Sequence, residues 1–321
     1  MPASEFELIN KYFQDLTDKD PSVKCGIGDD AAIIQIPQDK EVVLSMDTLL
    51  GGTHFPVDTR PVDIGYKALA VNLSDMAAMG AVPKWVLLSI SLPENNEAWL
   101  KEFASGFLDL ARQHSVSLIG GDMSRGALSI TINIQGLVSV DSALKRDGAQ
   151  KDDLIYVTGT LGDAGAGLDI IQGKLSIGNE CAEFFLKSLN RPDVSVEAGL
   201  RLRGLANSTI DISDGLIADL GHILDASHVG AEIEVRKIPL SEAMQQCVDE
   251  TTAWNYALTS GDDYKLCFTA SAEQHEQVIS TFKKINIPVS CIGKIKQEAG
   301  LQLKTPEGTC FEPSGKSYQH F

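Results

Sequence analysis

The sequence predicts an α/β or α+β protein of two domains, and three observations carry that reading. Apolar runs with the two-residue alternation of strands interleave with runs of helical period along the whole chain. The 321 residues exceed the ~150 of a typical single domain. A polar, turn-rich stretch, "DSALKRDGAQKDD", separates two such series and marks the boundary, giving domains of 1–145 and 146–321. There is no low-complexity tract and no solenoid period.

Taken in order, a short amphipathic helix opens the chain, with Phe6, Ile9 and Phe13 on one face and Ser4 as its N-cap. Strands follow at "AAIIQI" and "EVVLSMD". "PVDIGYKALAVNLSDMAAMG" carries Pro61 at its start and Gly80 at its end, the punctuation of a helix. "KWVLLSISL" reads as a strand, "NEAWLKEFASGFLDLARQH" as a helix, "VSLIGGD" as a buried strand and "LSITINIQGLVSV" as a long one. Beyond the boundary "LIYVTG" is a strand and "LGDAGAGLDIIQG" a helix after a glycine-rich turn. "STIDISDGLIADLGHIL" passes from strand to helix, and "DYKLCFTA", "VISTFKKINI" and "VSCIGKI" complete the pattern.

Composition excludes several classes. A formal charge of −17 disfavours nucleic acid, whose phosphates require basic patches, and an anionic membrane surface. No apolar run approaches the ~20 residues that span a bilayer. The opening "MPASEFELIN" lacks the basic and apolar regions of a signal peptide, so the expectation is a cytoplasmic protein. Cys25, Cys181, Cys247, Cys267, Cys291 and Cys310 are scattered with no CxxC pair, which reads as reduced thiols and neither disulfides nor zinc ligands.

The chemistry lies in the aspartates. In "KCGIGDDAAII" two acids stand at the mouth of an apolar run, where a bare charge is costly. In "EVVLSMD" alternation puts Val43, Ser45 and Asp47 on one face and Val42, Leu44 and Met46 on the other. In the helix after Pro61, the stripe Ile64, Ala68, Val71, Ala78 is interrupted by Asp75, a carboxylate on the face turned to the core. "SLIGGDMSRG" ends a strand with two glycines and Asp122, leaving room for a ligand. "IDISDGL" places Asp211 and Ser213 on one strand face and Asp214 just before a helix, where it also fits a plain N-cap. Carboxylates and hydroxyls at strand ends are hard oxygen donors suited to magnesium, which bridges to phosphate. The P-loop pattern fails, since Cys310 replaces the first glycine before the only "GKS", and "GIGDDA" opens a strand where a dinucleotide motif opens a helix.

"GIGDDAA", "SMDTLLGGTHF", "NLSDMAAMGAVPKW", "LIGGDMSRG", "YVTGTLGDAGAGL", "DISDGLIADLGH" and "SGDDYKL" occur in an order and spacing that resemble the thiamine-monophosphate kinase family from end to end. That family lies within the superfamily of aminoimidazole-ribonucleotide synthetase-like ATP-binding proteins, and "GTHF" and "YQHF" favour the thiamine branch. The resemblance implies an N-terminal ATP- and metal-binding domain whose mixed sheet dimerises into a central β-barrel. It also implies a C-terminal α/β sandwich, a homodimer, and transfer of the γ-phosphoryl of ATP to thiamine monophosphate. Carried over by motif, the ligands of several Mg²⁺ ions are Asp30, Ser45, Asp47, Asp75, Asp122, Asp211 and Asp214, with Met46 contributing only its carbonyl. Gly121, Asp122, Arg146 and Ser213 meet ATP, and His54 and Asp262 meet the thiamine substrate. Two departures stand out. Asp262 replaces a glutamate common in the family, and Gly315 stands where an aromatic is common, with Phe311 or Tyr318 as substitutes.

A phosphate acceptor is already anionic, so no catalytic residue is expected beyond those that position metal and phosphate. Two alternatives stay open on the residues. One is a sister enzyme using ATP to activate a carbonyl oxygen or selenide; the other is a non-catalytic acidic protein binding metal or nucleotide.

Overall fold

The computed structural model describes residues 5–14, 20–315 and 317. Ser4, the Phe6 side chain, Tyr318 and the rest of "YQHF" lie outside the described residues. The chain divides into two compact units, Met1–Met76 with Ala81–Asp141, and Ala77–Gly80 with Ser142–Phe321.

In the first unit the elements are α1 (Glu5–Tyr12), β1 (Val23–Cys25), β2 (Ile33–Ile34), β3 (Lys40–Leu50), α2 (Pro61–Ala78), β4 (Val82–Leu92), α3 (Glu97–Gln113), β5 (Ser117–Arg125) and β6 (Ser129–Ser139). A four-stranded sheet runs in the order β3-β6-β4-β5. Only β4 and β5 are parallel, because α3 carries the chain back between them. Asn96 caps α3 by accepting from the Trp99 N–H at 3.0 Å.

Strand alternation gives this sheet two unlike faces. Ile130, Ile132 and Ile134 of β6 and Val86, Leu88 and Ile90 of β4 are buried. On the other face Met46 opposes Asn133 and Leu44 opposes Gln135, and Leu44 and Met46 are each 64% exposed. The "AAIIQI" strand shrinks to the two residues of β2, paired with β1. Its apolar residues gain little there, since Ile33 and Ile36 stay exposed.

The second unit contains β7 (Leu154–Thr158), α4 (Asp163–Ile171), α5 (Asn179–Asn190), α6 (Val196–Leu202), β8 (Ser208–Asp211), α7 (Leu216–Ser227), β9 (Gly230–Glu234), α8 (Glu242–Cys247), α9 (Glu250–Thr259), β10 (Leu266–Ala270), α10 (His275–Lys284), β11 (Val289–Lys296) and β12 (Gly300–Lys304). Its six strands order as β12-β9-β11-β7-β10-β8, antiparallel except for the parallel pair β12 and β9. On one face Ile155, Val157, Ile210 and Cys267 pack with Leu220, Ile223 and Trp254 of α7 and α9. On the other, Tyr156 and Phe268 stack, and Phe268 stacks in turn on Phe282 of α10. Both units are mixed α/β, as the sequence predicts, and neither closes a barrel on its own.

The cysteine reading needs one correction. Cys181 of α5 and Cys247 of α8 are joined as a disulfide, with Cα atoms 6.7 Å apart and a sequence separation of 66. Helix packing creates the pair, so no local spacing announces it. Cys25, Cys267, Cys291 and Cys310 are free thiols.

Candidate active site

The first unit holds an open cavity of about 1000 Å³, large enough for a nucleotide. Its walls include the Gly26–Gly28 loop, Asp30, Gly121 and Asp122, with Leu87, Leu88 and Ile119 as apolar surface. The glycines, Asp30 and Asp122 that the sequence singles out thus line one space. Asp29 folds back on its own loop, accepting from the Asp30 N–H at 2.9 Å, and both Asp29 and Asp30 are exposed. Gly121 is fixed by its neighbour strand, since a Cβ there would stand 1.8 Å from the Leu88 carbonyl oxygen.

Ser45, Asp47 and Asp75 form a second group, on the helix-covered face of β3. Ser45 Oγ donates to Asp75 Oδ2 at 2.5 Å, so the aspartate in the apolar stripe of α2 meets the hydroxyl that strand alternation points toward it. The Met46 side chain lies on the opposite, exposed face, away from this group. At the end of β3, His54 Nδ1 accepts from the Leu50 N–H at 2.9 Å. That bond places the proton of the neutral ring on Nε2.

The remaining predicted residues gather at one end of the second unit's sheet. Asp211 closes β8 and is buried. The loop Ile212–Gly215 lies against the loop Ser260–Tyr264. The Asp262 N–H donates to the Ser213 carbonyl at 2.9 Å, and the Tyr264 N–H to the Ile212 carbonyl at 2.8 Å. Gly261 permits this contact, because a Cβ would stand 2.1 Å from the Ser213 carbonyl oxygen. Ser213 and Asp262, predicted for ATP and for substrate, are therefore held together. Arg146 is exposed, on the segment whose Lys145 carbonyl accepts from the Thr209 N–H of β8 at 2.8 Å. Among the described residues, no group of three or more His, Cys, Asp or Glu is arranged to hold a metal ion by itself.

Residues 28–138 match the N-terminal domain of AIR synthase related protein, and residues 150–305 match its C-terminal domain. The thiamine-monophosphate kinase of Escherichia coli is 43% identical over 100% of this chain and 99% of its own. The chain belongs to the thiamine-monophosphate kinase family. The crystal structure of thiamine-monophosphate kinase from Stenotrophomonas maltophilia has a TM-score of 0.89 at 43% identity, covering 97% of this chain and 99% of that one. A solved structure described as AaThiL complexed with AMPPCP and TMP has a TM-score of 0.78 at 30% identity, covering 99% and 97%.

Three carboxylates of this kinase-family chain escaped the sequence reading. Asp219, on the first turn of α7, accepts at Oδ2 from the Asp214 and Gly215 N–H groups at 3.0 and 3.1 Å. It reaches back much as a capping-box acid does, so its place after "SDGL" was the available signal. Burial pushes its pKa up to about 7, with the charges of Asp211 and Asp214 adding to the rise against the Asp214 N–H bond. Asp263 is buried and takes the Gly162 N–H on both oxygens, at 3.0 and 2.9 Å. Its pKa is driven far above the ordinary value, first by burial. Asp163 accepts from Thr160 Oγ1 at 2.8 Å and Ser241 Oγ at 2.6 Å, and burial raises its pKa too. Asp219 thus braces the turn that carries Asp214, Asp263 ties the loop of Asp262 to Gly162, and Asp163 joins the Thr160 turn to Ser241.

Proposed function

We propose that this protein transfers the γ-phosphoryl group of ATP to the phosphate of thiamine monophosphate, giving thiamine diphosphate and ADP. The observation that carries this reading is the full-length likeness, at 30% identity, to a structure described as complexed with AMPPCP and TMP, AMPPCP being an ATP analogue. Asp30, Gly121 and Asp122 around one nucleotide-sized cavity support it.

The donor chemistry fits magnesium. Every proposed ligand offers oxygen, in small sets held within each unit: Asp30 and Asp122 on the cavity wall, Ser45 with Asp75, Asp47 on the Ser45 face, and Asp211 and Asp214 beside Asp219. Such sets suit an ion that keeps waters and takes phosphate oxygens into its shell. Mg²⁺ held by these residues would supply positive charge against the phosphates.

The chain's own residues do the rest. Gly121 brings bare backbone to the nucleotide and Ser213 adds a hydroxyl. Arg146 supplies a permanent cation for phosphate in an otherwise acidic protein. His54, its ring oriented by the Leu50 N–H, donates from Nε2 to the substrate, and Asp262 accepts from it. The acceptor phosphate attacks as an anion, so no side chain has to remove a proton.

The first unit serves ATP, metal and dimerisation. Its sheet face bearing Leu44, Met46 and Leu50, all exposed, is the face we assign to a second copy, whose matching sheet would complete a central barrel. The deciding experiment supplies ATP, Mg²⁺ and a panel of acceptors and follows ADP together with chromatographic detection of thiamine diphosphate. ADP formed with thiamine monophosphate alone is expected. Turnover with another acceptor and none with thiamine monophosphate would refute the proposal.

A further inference from the structure

The bridge between Cys181 and Cys247 has no part in the reaction proposed above, yet its surroundings in the second unit connect it to the site. Both cysteines are partly exposed, so a small thiol reagent has access to them. Cys181 Sγ also stands 3.9 Å from the Ala243 carbonyl oxygen of α8. A thiol donates to such a carbonyl, whereas a disulfide sulfur has no proton to give. The opened pair therefore has a partner of its own, and the site accommodates both redox states.

What the bridge holds is α8. A helix of 6 residues is too short to persist without tertiary attachments. At its start Ser241 Oγ accepts from the Met244 N–H at 3.0 Å and donates to Asp163 Oδ1 at 2.6 Å. In its middle Met244 packs in a small apolar cluster with Ala166, Phe185 and Ala253. At its end Cys247 is the covalent tie to α5. Asp163 belongs to the turn that enters α4, and Asp263 holds the same turn by taking the Gly162 N–H on both oxygens. Asp262 precedes Asp263 in the chain, and its N–H donates to the Ser213 carbonyl at 2.9 Å. A contiguous run of bonds thus leads from the bridge through Ser241, Asp163 and Asp263 to the loops that carry Asp262 and Ser213.

We propose that Cys181 and Cys247 form a reversible redox site, which steadies the Ser260–Tyr264 loop when the bridge is closed and loosens it when the bridge is open. Its effect on substrate rests on the function proposed above, where Asp262 is assigned to thiamine monophosphate. Closing oxidises the pair: two S–H bonds break and one S–S bond forms. The two protons and two electrons pass to a small-molecule disulfide, which leaves as two thiols. Opening is exchange with a dithiol, whose thiolate attacks one sulfur of the bridge. The second thiol of the reductant resolves the mixed disulfide, so the reductant leaves as a disulfide and both cysteines regain their protons. Closure removes the freedom of α8 relative to α5, so the bonds made by Ser241 and Asp263 open less often.

The test equilibrates the native chain in buffers of reduced and oxidised glutathione, with dithiothreitol as the fully reducing end. The chain is then alkylated under denaturing conditions and its cysteine peptides are read by mass spectrometry. Cys181 and Cys247 should gain and lose their label together, in one transition independent of the other thiols. Hydrogen exchange should show the Asp262 and Tyr264 amides exchanging about fivefold faster with the bridge open, a coupling of ordinary size, while the amides of β6 in the first unit stay unchanged. KM for thiamine monophosphate should rise by about the same factor. Ser241→Ala cuts the path and keeps both cysteines. It should still form the bridge, but with fast exchange and a raised KM in both redox states. The native-chain measurements decide alone if that variant fails to fold. A bridge that dithiothreitol does not open, or that oxidised glutathione does not close again, overturns the inference. So do equal exchange rates in the two states, or a folded Ser241→Ala that keeps the native redox response. If exchange follows the bridge but no thiamine diphosphate forms, the kinase reading fails and the redox site stands.

Discussion

Substituting Gly121 by alanine tests whether the cavity of the first unit depends on the close approach of β4 and β5. Gly121 pairs with Leu88 in the parallel ladder. An added Cβ would lie 1.8 Å from the Leu88 carbonyl oxygen, 2.7 Å from its carbon and 3.0 Å from its nitrogen. Carbon–oxygen contacts settle at about 3.3–3.6 Å, so one strand must retreat by roughly 1.5 Å, close to a third of the ~4.8 Å strand spacing. Overpacking of this kind costs ~1–3 kcal/mol, and a buried ladder bond lost with it adds ~1–3 kcal/mol. The expected loss is therefore ~2–6 kcal/mol out of the ~5–15 kcal/mol available to a domain. Asp122 moves with the backbone, so KM for ATP should rise as well. Gly120→Ala is the matched control. There the added Cβ meets only Leu87 Cδ2, at 3.1 Å, a methyl that can rotate away, and the cost should stay below ~1 kcal/mol. Urea unfolding followed by circular dichroism, with ATP kinetics on the same preparations, reads both effects. Equal unfolding midpoints for the two variants would refute the reasoning, as would native ATP kinetics in Gly121→Ala.

Other perturbations separate chemistry from stability. Asp75→Asn keeps an acceptor for Ser45 Oγ, so its melting temperature should stay within a few degrees while kcat falls at least about a hundredfold; native turnover at limiting Mg²⁺ would remove Asp75 from the site. Reduction of the Cys181–Cys247 bridge, or Cys247→Ser, should destabilise the second unit by up to about 4 kcal/mol from the loop released, read as a thiol-dependent drop in melting temperature. Asp263 has a folded pKa far above its unfolded value, first through burial. It therefore holds its proton longer when folded, and its contribution to stability fades as pH rises from about 4 toward that folded pKa. Asp263→Asn should melt above the native chain at pH 8, with the gap closing toward pH 4; parallel melting curves across that range would contradict the assignment.

How much of this was legible in the sequence follows from which interactions are local. The period of two in β3 put Ser45 and Asp47 on one face and Met46 on the other, and the helical period of α2 put Asp75 on the covered stripe. Both hold, because each periodicity is a property of neighbouring residues. The Ser45–Asp75 bond is the meeting of those two correctly read faces. What failed to show was contact between distant segments. Cys181 and Cys247 meet only because α5 packs on α8, and the stretches carrying α5, α8, α9, β9 and β12 have no motif to announce them. Asp219 stood inside a motif already quoted, but its bonds to the N–H groups of Asp214 and Gly215 appear only once the turn is built.

Gly121 shows the limit of residue-level reading most clearly. In the sequence the missing side chain reads as space for a ligand, and the residue does line the cavity. The atom that excludes a Cβ, however, is the Leu88 carbonyl oxygen of the adjacent strand. A sequence reports that a Cβ is missing without reporting what occupies its place. Here the strand contact that demands glycine at 121 also sets where Asp122 begins, so sheet packing and the proposed placement of ATP are one constraint. That is why the Gly121 and Gly120 pair discriminates: both lack a side chain and both line the cavity, but only one is pressed against backbone.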